Sequence, residues 1–169
     1  MTAPTAKPTD DAAFDASGLN IGVVAARWNS GIVERLQRGA IHTISECDAT
    51  LVAESAPGAF ELPYAARMLA RSGRVDAIVV LGAVIRGETT HYELVSEGCA
   101  SGVMSVQLET GIPIGLGVVT VENHQQAIER SSDDHNVGRD ATRAAIEMAL
   151  LARRWPAATR SRPLVDDCE

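Results

Sequence analysis

Four short apolar runs rich in valine and isoleucine alternate along the chain with longer stretches in which apolar residues return every three or four positions. The runs are residues 19–26, 50–55, 77–85 and 112–120, and each is bounded by glycine, proline or polar residues. This pattern is typical of buried strands. Because the connections are too long for hairpins, we predict a parallel sheet with right-handed crossovers and helices on both faces. The fold class is therefore α/β.

The stretches between the runs have the spacing of amphipathic helices. Their apolar positions, in chain order, are Ile32, Leu36, Ala40, Ile44; Leu62, Ala66, Leu69; Leu94, Gly98, Gly102, Val106; and Val137, Ala141, Ala145, Met148, with a short additional helix over residues 125–131. A chain of 169 residues with 46% hydrophobic content can bury one core. We expect one domain over residues 19–156. Residues 1–18 and 157–169 lack an apolar face and are predicted to be flexible tails.

The net charge and the cysteine content restrict the ligands and partners that the protein can bind. A formal net charge of -7 argues against nucleic acid and anionic membrane surfaces, which need a basic face. No apolar run approaches the roughly 20 residues that span a bilayer, and the first residues lack a signal-peptide core. The three cysteines, Cys47, Cys99 and Cys168, fit neither a disulfide framework nor a metal site. We expect two buried thiols and one tail thiol in a cytoplasmic protein that binds small molecules and no metal.

Polar side chains follow each predicted strand, and ligands of open parallel sheets bind at that edge. The four loops read "RWNS", "APGAFELP", "RGETTHYE" and "VENHQQAIER". Trp28 in the first loop can stack on a planar heterocycle, although a lone aromatic residue more often anchors a helix. Asn29 can cap the helix that follows it. Together the loops indicate a site for a planar, polar and partly anionic ligand.

The second loop offers backbone groups, and the third begins with an arginine. Pro57 and Gly58 force a bend that leaves the backbone of residues 59–61 free to bind a polyhydroxyl chain or a ring edge. The simpler interpretation is a turn whose Phe60 ring enters the core. Arg86, directly after the third run, is consistent with a structural role.

The third and fourth loops are suited to a phosphate. Gly87 permits close approach of the backbone, and Thr89 and Thr90 add hydroxyls at the start of a helix, where amides and the dipole favour an anion. The spacing of a nucleotide P-loop is absent. His91 is a candidate for proton transfer, although a Thr-Thr-His run is also typical of a capped helix start. Arg130 on the short fourth helix can clamp a phosphate from the side.

The segments "RWN", "PGAFELP", "GAVIRGETTHYE", "GVVTVEN" and "QQAIER" occur in the order and approximate spacing of the lumazine synthase family, which the chain resembles over residues 19–155. The resemblance implies a transferase of riboflavin biosynthesis. Such an enzyme condenses 5-amino-6-(D-ribitylamino)uracil with 3,4-dihydroxy-2-butanone 4-phosphate without metal or cofactor. It also implies a flavodoxin-like three-layer α/β/α sandwich with a four-stranded parallel sheet. The implied assembly is a homo-oligomer, a pentamer or a multiple of pentamers, in which a neighbouring subunit completes each site.

Roles for individual residues also follow from the resemblance. His91 falls on the proton donor. The residues that match the binding segments for the ribitylaminouracil are Trp28, Ala59, Phe60, Glu61, Ala83, Val84, Ile85 and Leu116. Those that match the binding residues for the butanone phosphate are Glu88, Thr89 and Arg130.

Two positions depart from the family pattern. Leu116 stands where many relatives place a phenylalanine that reaches over the pyrimidine of a neighbouring subunit, and Val137 stands where they carry a lysine near the phosphate. Arg139 is turned about 200° from that position, at 3.6 residues per turn, and is not expected to replace the lysine. The alternative is a catalytically weak paralogue, a lumazine- or flavin-binding shell or carrier protein. An electron-transfer flavin carrier is disfavoured, because the predicted phosphate loop follows the third strand and not the first.

Overall fold

Four parallel strands form the centre of the structure, a computed structural model that describes residues 15–155. The elements in chain order are β1 (Asn20–Ala26), α1 (Ser30–Glu46), β2 (Thr50–Ala56), a 3-10 helix (Ala59–Glu61), α2 (Leu62–Arg71), β3 (Ala77–Ile85), α3 (His91–Thr110), β4 (Ile114–Val121), α4 (His124–Arg130) and α5 (Val137–Arg154). Every predicted strand and helix is present. β4 begins two residues later than expected, because Pro113 has no amide hydrogen to donate to the ladder with β3.

The strand order is β2-β1-β3-β4, and every neighbouring pair is parallel. The chain moves outward from β1 to β2 and then crosses to the other side of β1 to form β3. The connections therefore diverge between β1 and β3, and a crevice for a ligand forms at such a switch point. The carboxyl ends of all four strands meet at one edge of the sheet, here called the carboxyl edge.

Helices cover both faces of the sheet and produce two separate cores. Leu36 of α1 and Ile146 of α5 are fully buried and share one core with Val79 of β3. Leu62 of α2 shares the other core with Val80, the next residue of β3. Because successive residues of a strand point to opposite faces, one hydrophobic run supplies both cores. The predicted flavodoxin-like three-layer α/β/α sandwich is confirmed.

The prediction that β2 is a buried strand is wrong. Of its seven residues only Ala56 is buried and Val52 is half-buried, while Leu51 is 37% exposed. β2 lies at one edge of the sheet, and the helices contact it less than they contact any other strand. A single chain therefore leaves both faces of β2 largely open to solvent.

Close packing fixes the position of α5 beside the carboxyl edge. A side-chain carbon added at Gly138 would lie 2.2 Å from the Leu36 carbonyl oxygen, so the start of α5 touches the backbone of α1. Asn136, directly before α5, donates its side-chain amide to the Arg35 carbonyl at 3.0 Å and accepts from the Arg139 amide at 3.1 Å. These contacts hold the loop between α4 and α5 against α1.

The predicted tails lie almost wholly outside the described residues. Of the N-terminal tail only residues 15–18 are described; among them Ala16 is buried, and its amide donates to the Cys47 carbonyl at 2.9 Å. Cys47 and Cys99 are free and buried, as predicted, while Cys168 lies outside the described range. Burial raises the pKa of the Cys99 thiol to about 11. Within residues 15–155 no helix is long and apolar enough to cross a membrane.

Candidate active site

Hydrogen bonds join the loop after β1 to the loop after β2 and to the end of β3 at the carboxyl edge. The amides of Arg27 and Trp28 donate to the carbonyls of Ala56 and Pro57, at 2.9 and 3.3 Å, and connect the loop after β1 to the loop after β2. The Asn29 side chain donates to the Ala83 carbonyl at 2.8 Å and connects the same loop to the end of β3. The first loop therefore lies at the centre of the edge, at the switch point between β1 and β3.

Asn29 does not cap α1 with its side chain as predicted. It occupies the N-cap position in a left-handed conformation, with φ 58°, and makes no capping hydrogen bond. The side-chain amide of Asn29 instead donates a hydrogen bond to the Ala83 carbonyl. Asparagine tolerates the left-handed region better than most residues, so the sequence permits this turn, but the distant partner on β3 has no local signal.

Trp28 is 74% exposed and borders an open cavity of about 440 Å³. The lining residues of this cavity are Arg27, Trp28, Asn29, Ser30 and Pro57. An anchor for α1 would bury its ring, so the exposure of Trp28 favours a ring that is available for stacking. Arg27 was not predicted to take part. A basic residue directly after a strand was the only sequence signal for it.

The turn at residues 59–61 is more closed than predicted. It forms a 3-10 helix in which the Glu61 amide donates to the Gly58 carbonyl at 3.3 Å, and the amide after it donates to the Ala59 carbonyl. Within residues 59–61, the Glu61 amide and the Ala59 carbonyl are therefore already hydrogen-bonded and not free to bind a ligand. Phe60 is 60% exposed and lies against α3, where a carbon added at Gly98 would be 2.9 Å from its ring. The expectation that this ring enters the core is wrong, since the 3-10 turn directs it along the surface.

The end of β3 lies at the carboxyl edge, next to the first loop. Ala83 and Val84 are buried, and Ile85 is half-buried. The Ala83 carbonyl is already occupied by Asn29. These residues can therefore offer a ligand mainly the rim of the strand and the remaining backbone groups beyond Ala83.

The loop after β3 presents a group of exposed polar side chains. Glu88, Thr89 and Thr90 are exposed, and His91, also exposed, is the first residue of α3. The His91 amide lies 3.4 Å from the Thr89 hydroxyl oxygen. Exposed hydroxyls beside the start of a long helix, where the helix dipole is positive, form an environment that favours an anion. The imidazole lies at the edge of this environment, open to a ligand.

Arg86 connects this loop to its surroundings. Its guanidinium pairs with Glu93 in the first turn of α3 and, through Nε, with Glu122 after β4 at 2.7 Å. It also lies 4.2 Å from the centre of the Tyr92 ring. The hydrogen bond to Arg86 lowers the pKa of Glu93, and the bond to Glu93 together with the charge of Glu122 raises the pKa of Arg86. Both groups therefore stay charged near neutral pH.

Arg130 is the last residue of α4 and is exposed. Asn123 caps α4 by accepting from the Gln126 amide at 3.0 Å, which fixes the start of the helix directly after β4. Among residues 15–155, Arg130 has no hydrogen-bond or ion-pair partner. Its guanidinium is therefore available to an anion that arrives at this edge.

The two departures from the family pattern occupy different environments. Val137 is the first residue of α5, and its half-buried side chain packs against a core. Arg139 donates to the carbonyls of Asp133 and Asp134 at 3.0 and 3.1 Å and closes the loop before α5. The Arg139 guanidinium is therefore engaged within its own loop.

Leu116 lies away from the other predicted residues of its own chain. It pairs with Val80 in the middle of the sheet, whereas Val119 pairs with Ala83 at the site. Three residues of strand correspond to roughly 10 Å. Leu116 is 44% exposed, so its side chain is open to a partner outside the chain but does not join the cavity beside Trp28.

A larger cavity, of about 620 Å³, lies at the opposite edge of the sheet. It is lined by Gln107, Gly111, Pro113, Met148, Leu151, Ala152 and Trp155. It has no ionisable side chain in its lining and offers no group for proton transfer. No cluster of three or more metal-ligating side chains exists within the part of the chain that the structure describes.

Comparison with known proteins places the whole α/β region in one family. Residues 18–153 match the family described as 6,7-dimethyl-8-ribityllumazine synthase. A protein of that name from Thermococcus gammatolerans is 42% identical over 151 residues, which cover 86% of this chain and 96% of the relative. Another from Thermococcus kodakarensis is 42% identical over 146 residues, which cover 83% of this chain and 91% of the relative.

Proposed function

Because the chain belongs to the 6,7-dimethyl-8-ribityllumazine synthase family, we propose that it condenses 5-amino-6-(D-ribitylamino)uracil with 3,4-dihydroxy-2-butanone 4-phosphate in riboflavin biosynthesis. The main support from geometry is the carboxyl edge. There an exposed aromatic ring, an anion-favouring helix start with a histidine, and an arginine without a partner in residues 15–155 follow three different strands of one sheet. A planar heterocycle and a phosphate ester match these groups.

Trp28 stacks on the pyrimidine of the uracil in this proposal. The 3-10 helix at residues 59–61 and the rim of β3 at Ala83, Val84 and Ile85 bind the ring edge and the ribityl chain. Support comes from the exposure of Trp28 and Phe60 and from the bonds that hold the first loop to the second loop and to the end of β3. Because these loops are fixed in advance, little conformational entropy is lost when the uracil binds.

The phosphate of the second substrate binds between the start of α3 and the end of α4. Glu88 and Thr89 contribute from the loop after β3, through the exposed hydroxyl and backbone amides. Arg130 contributes a charge-assisted hydrogen bond. Glu88 is itself an anion, so its role is assigned to its backbone amide and not to its carboxylate.

The reaction needs proton transfer and positioning. The uracil amine attacks the ketone, water is lost, phosphate leaves, and the ribitylamino nitrogen closes the ring with loss of a second water. His91 exchanges protons with the substrate during these steps, since its ring is exposed beside the helix start. Holding the two substrates in register contributes more than the proton transfers, because each bond forms between groups that would otherwise meet by diffusion. No metal and no cofactor are required by these steps.

The protein acts as a cytoplasmic homo-oligomer, a pentamer or a multiple of pentamers, in which a neighbouring subunit completes each site. The surface of α3 supports association, because Leu94, Met104 and Leu108 are all more than half exposed. So does Leu116, which is open to a second chain and away from the site of its own chain. Apolar side chains concentrated on one helix mark an interaction surface.

Leu116 and Val137 favour a second candidate function. In it the protein is a shell or carrier protein that binds a lumazine or flavin without catalysing its formation. One removes an aromatic contact to the pyrimidine, and the other removes a cation near the phosphate. A carrier of this kind binds the lumazine but does not form it.

Mixing the purified protein with both substrates and following the fluorescence of the lumazine product tests the proposal. We expect product to form well above the uncatalysed rate, and only when both substrates are present. Binding of the lumazine without any acceleration of its formation would identify the carrier instead.

A further inference from the structure

We propose that Arg86 is a positioning residue that sets the distance between the two phosphate-binding elements, the start of α3 and the connection from β4 to α4. This inference rests on the proposed function, because the anion-binding groups of that site lie on these two elements. Arg86 itself is assigned no contact with substrate.

Arg86 joins three elements at the carboxyl edge. Its amide donates to the Val121 carbonyl at 2.9 Å and extends the pairing of β3 with β4 beyond the end of β3. Its side chain then branches. One branch reaches Glu93 in the first turn of α3, and the other reaches Glu122 at 2.7 Å, directly before the cap of α4. The Tyr92 ring, at 4.2 Å, supports the guanidinium from one face.

Each branch ends on a segment that leads into a group of the proposed phosphate site. Glu93 and Tyr92 follow His91 within the first turn of α3, so their contacts with Arg86 fix the orientation of that turn. Glu122 precedes the helix whose last residue is Arg130. A guanidinium has a planar fork that can bond two carboxylates in fixed directions, which an ammonium group cannot do. The fork therefore couples the positions of His91 and Arg130.

The charges around Arg86 argue against direct binding of the phosphate. Two carboxylates, Glu93 and Glu122, face its single positive charge, so the group of three carries a net negative charge. A phosphate at Arg86 would have to displace one of these carboxylates and approach the other. An arginine that binds substrate directly is better placed when it lacks such partners, as Arg130 does among the described residues.

The kinetic test compares Arg86→Met with Arg153→Met. Arg153 also joins separate elements, through Asp76 at 3.9 Å and the Gly18 carbonyl at 2.8 Å, but at the opposite edge of the sheet. In Arg86→Met we expect kcat/KM for the butanone phosphate to fall about 10- to 100-fold, as for a reacting group displaced by about 1 Å. The KM for the uracil should change little, Arg86→Lys should recover only part of the loss, and Arg153→Met should match the wild type.

Glu122→Gln separates positioning from direct binding, because the two roles predict opposite signs. If Arg86 binds the phosphate, removal of a competing carboxylate should lower the KM for the butanone phosphate. If Arg86 positions the loops, loss of the ion pair should raise that KM although the site has become less negative. A lower or unchanged KM in Glu122→Gln would overturn the inference.

Inorganic phosphate provides a readout that does not depend on turnover. We expect phosphate to raise the Tm of the wild-type protein and of Arg153→Met, and to raise that of Arg86→Met much less. Turnover that is unaffected in Arg86→Met would overturn this inference and leave the proposed function intact. If the wild type is inactive but phosphate raises its Tm and that increase depends on Arg86, the function is rejected and the inference is supported. If the wild type shows neither turnover nor an increase in Tm with phosphate, the proposed function and the inference are both rejected.

Discussion

At the scale of single residues, the proposed site contains few groups that transfer protons and many that hold a ligand in place. His91 is the candidate for acid and base chemistry, while Trp28 and Arg130 offer a stacking surface and a cation. Such a division suits a condensation in which two substrates must first be brought together. Most of the lowering of the barrier is then expected from orientation.

Replacing His91 with alanine should lower kcat by no more than about 10²-fold, the lower end of the range for general acid and base catalysis. Steady-state kinetics with both substrates provide the measurement. His135→Ala, which removes another exposed histidine, is the control and should be fully active. A loss beyond roughly 10⁴-fold would show that proton transfer, and not positioning, dominates the rate.

Replacing Arg130 with alanine removes a charge-assisted hydrogen bond that is worth about 1.5 to 3 kcal/mol. The KM for the butanone phosphate should therefore rise roughly tenfold to a hundredfold, because Val137 cannot share the charge. The KM for the uracil should change little. Arg154→Ala, at the far end of α5, is the matched control. Equal weakening of both substrates would mean that the phosphate binds elsewhere.

At the scale of elements, side chains that cross between loops determine the shape of the carboxyl edge. Asn29 connects the loop after β1 to β3, and Arg86 connects the end of β3 to α3 and to the connection after β4. Glycines allow the 3-10 helix and the start of α2 to approach α3 closely. These contacts lead to separate predictions about pH and about packing.

Because of the Arg86–Glu93 pair, the stability of the fold should decrease as the pH falls in the acid range. Arg86 lowers the pKa of Glu93 below its ordinary value of 4.5. A lowered pKa stabilises the fold above the unfolded-state pKa, and this contribution is lost as the pH falls through the folded-state pKa. The Tm difference between the wild type and Arg86→Met should be constant near neutral pH and shrink as the pH drops below that ordinary value. A difference that grows on acidification would contradict the assignment.

Two glycines of α3 should respond differently to alanine. A carbon at Gly102 would lie 2.8 Å from the Pro63 ring, which cannot move away, so Gly102→Ala should destabilise the fold by about 1 to 3 kcal/mol. A carbon at Gly98 would meet the exposed Phe60 ring, which can move. Gly98→Ala should therefore change stability by less than about 1 kcal/mol but raise the KM for the uracil.

Urea unfolding and steady-state kinetics check the two glycine variants. Gly31→Ala in α1 is the control, because the space around Gly31 is open and alanine favours the helix. It should be neutral or stabilising. If Gly102→Ala is as stable as Gly31→Ala, α3 does not pack directly against the Pro63 ring of α2 at Gly102.

At the scale of the whole molecule, one chain does not bury all of its apolar surface. α3 has twenty residues, of which only Cys99, Val103 and Val106 are buried, while Leu108 is 76% exposed. The edge strand β2 is also largely open on both faces. These surfaces are consistent with the proposed assembly of several chains.

Sedimentation of the purified protein should show pentamers or multiples of pentamers. Leu108→Glu should shift the protein toward smaller species and abolish activity, since a charge in an apolar interface is costly. Its circular dichroism should stay unchanged, because Leu108 is exposed in the single chain. Leu108→Met, which preserves volume and polarity, should assemble normally. A wild-type monomer at micromolar concentration, or full activity in a monomeric Leu108→Glu, would contradict the shared site.

Periodicity in the sequence determined the α/β class, the number and order of strands and helices, and the edge of the sheet that carries the polar loops. Each of these depends on the spacing of residues that are close in the chain. Local composition also made Trp28, His91 and Arg130 candidates, because each lies in the loop that follows a strand or on the helix that begins after that loop. Several long motifs, in the same order and approximate spacing as in the family, also indicated the family.

Only the tertiary structure decided which distant groups meet. The exposure of β2 depends on how little the helices cover it, since β4 at the opposite edge of the sheet is mostly buried beneath them. Asn29 has its partner on β3, and Arg86 has one of its partners beyond β4, so no local pattern reveals either bond. The position of Leu116 away from the site depends on the register of β3 with β4. Register, strand order and side-chain pairing are settled by the packing of the whole chain, because residues far apart in sequence compete for the same neighbours.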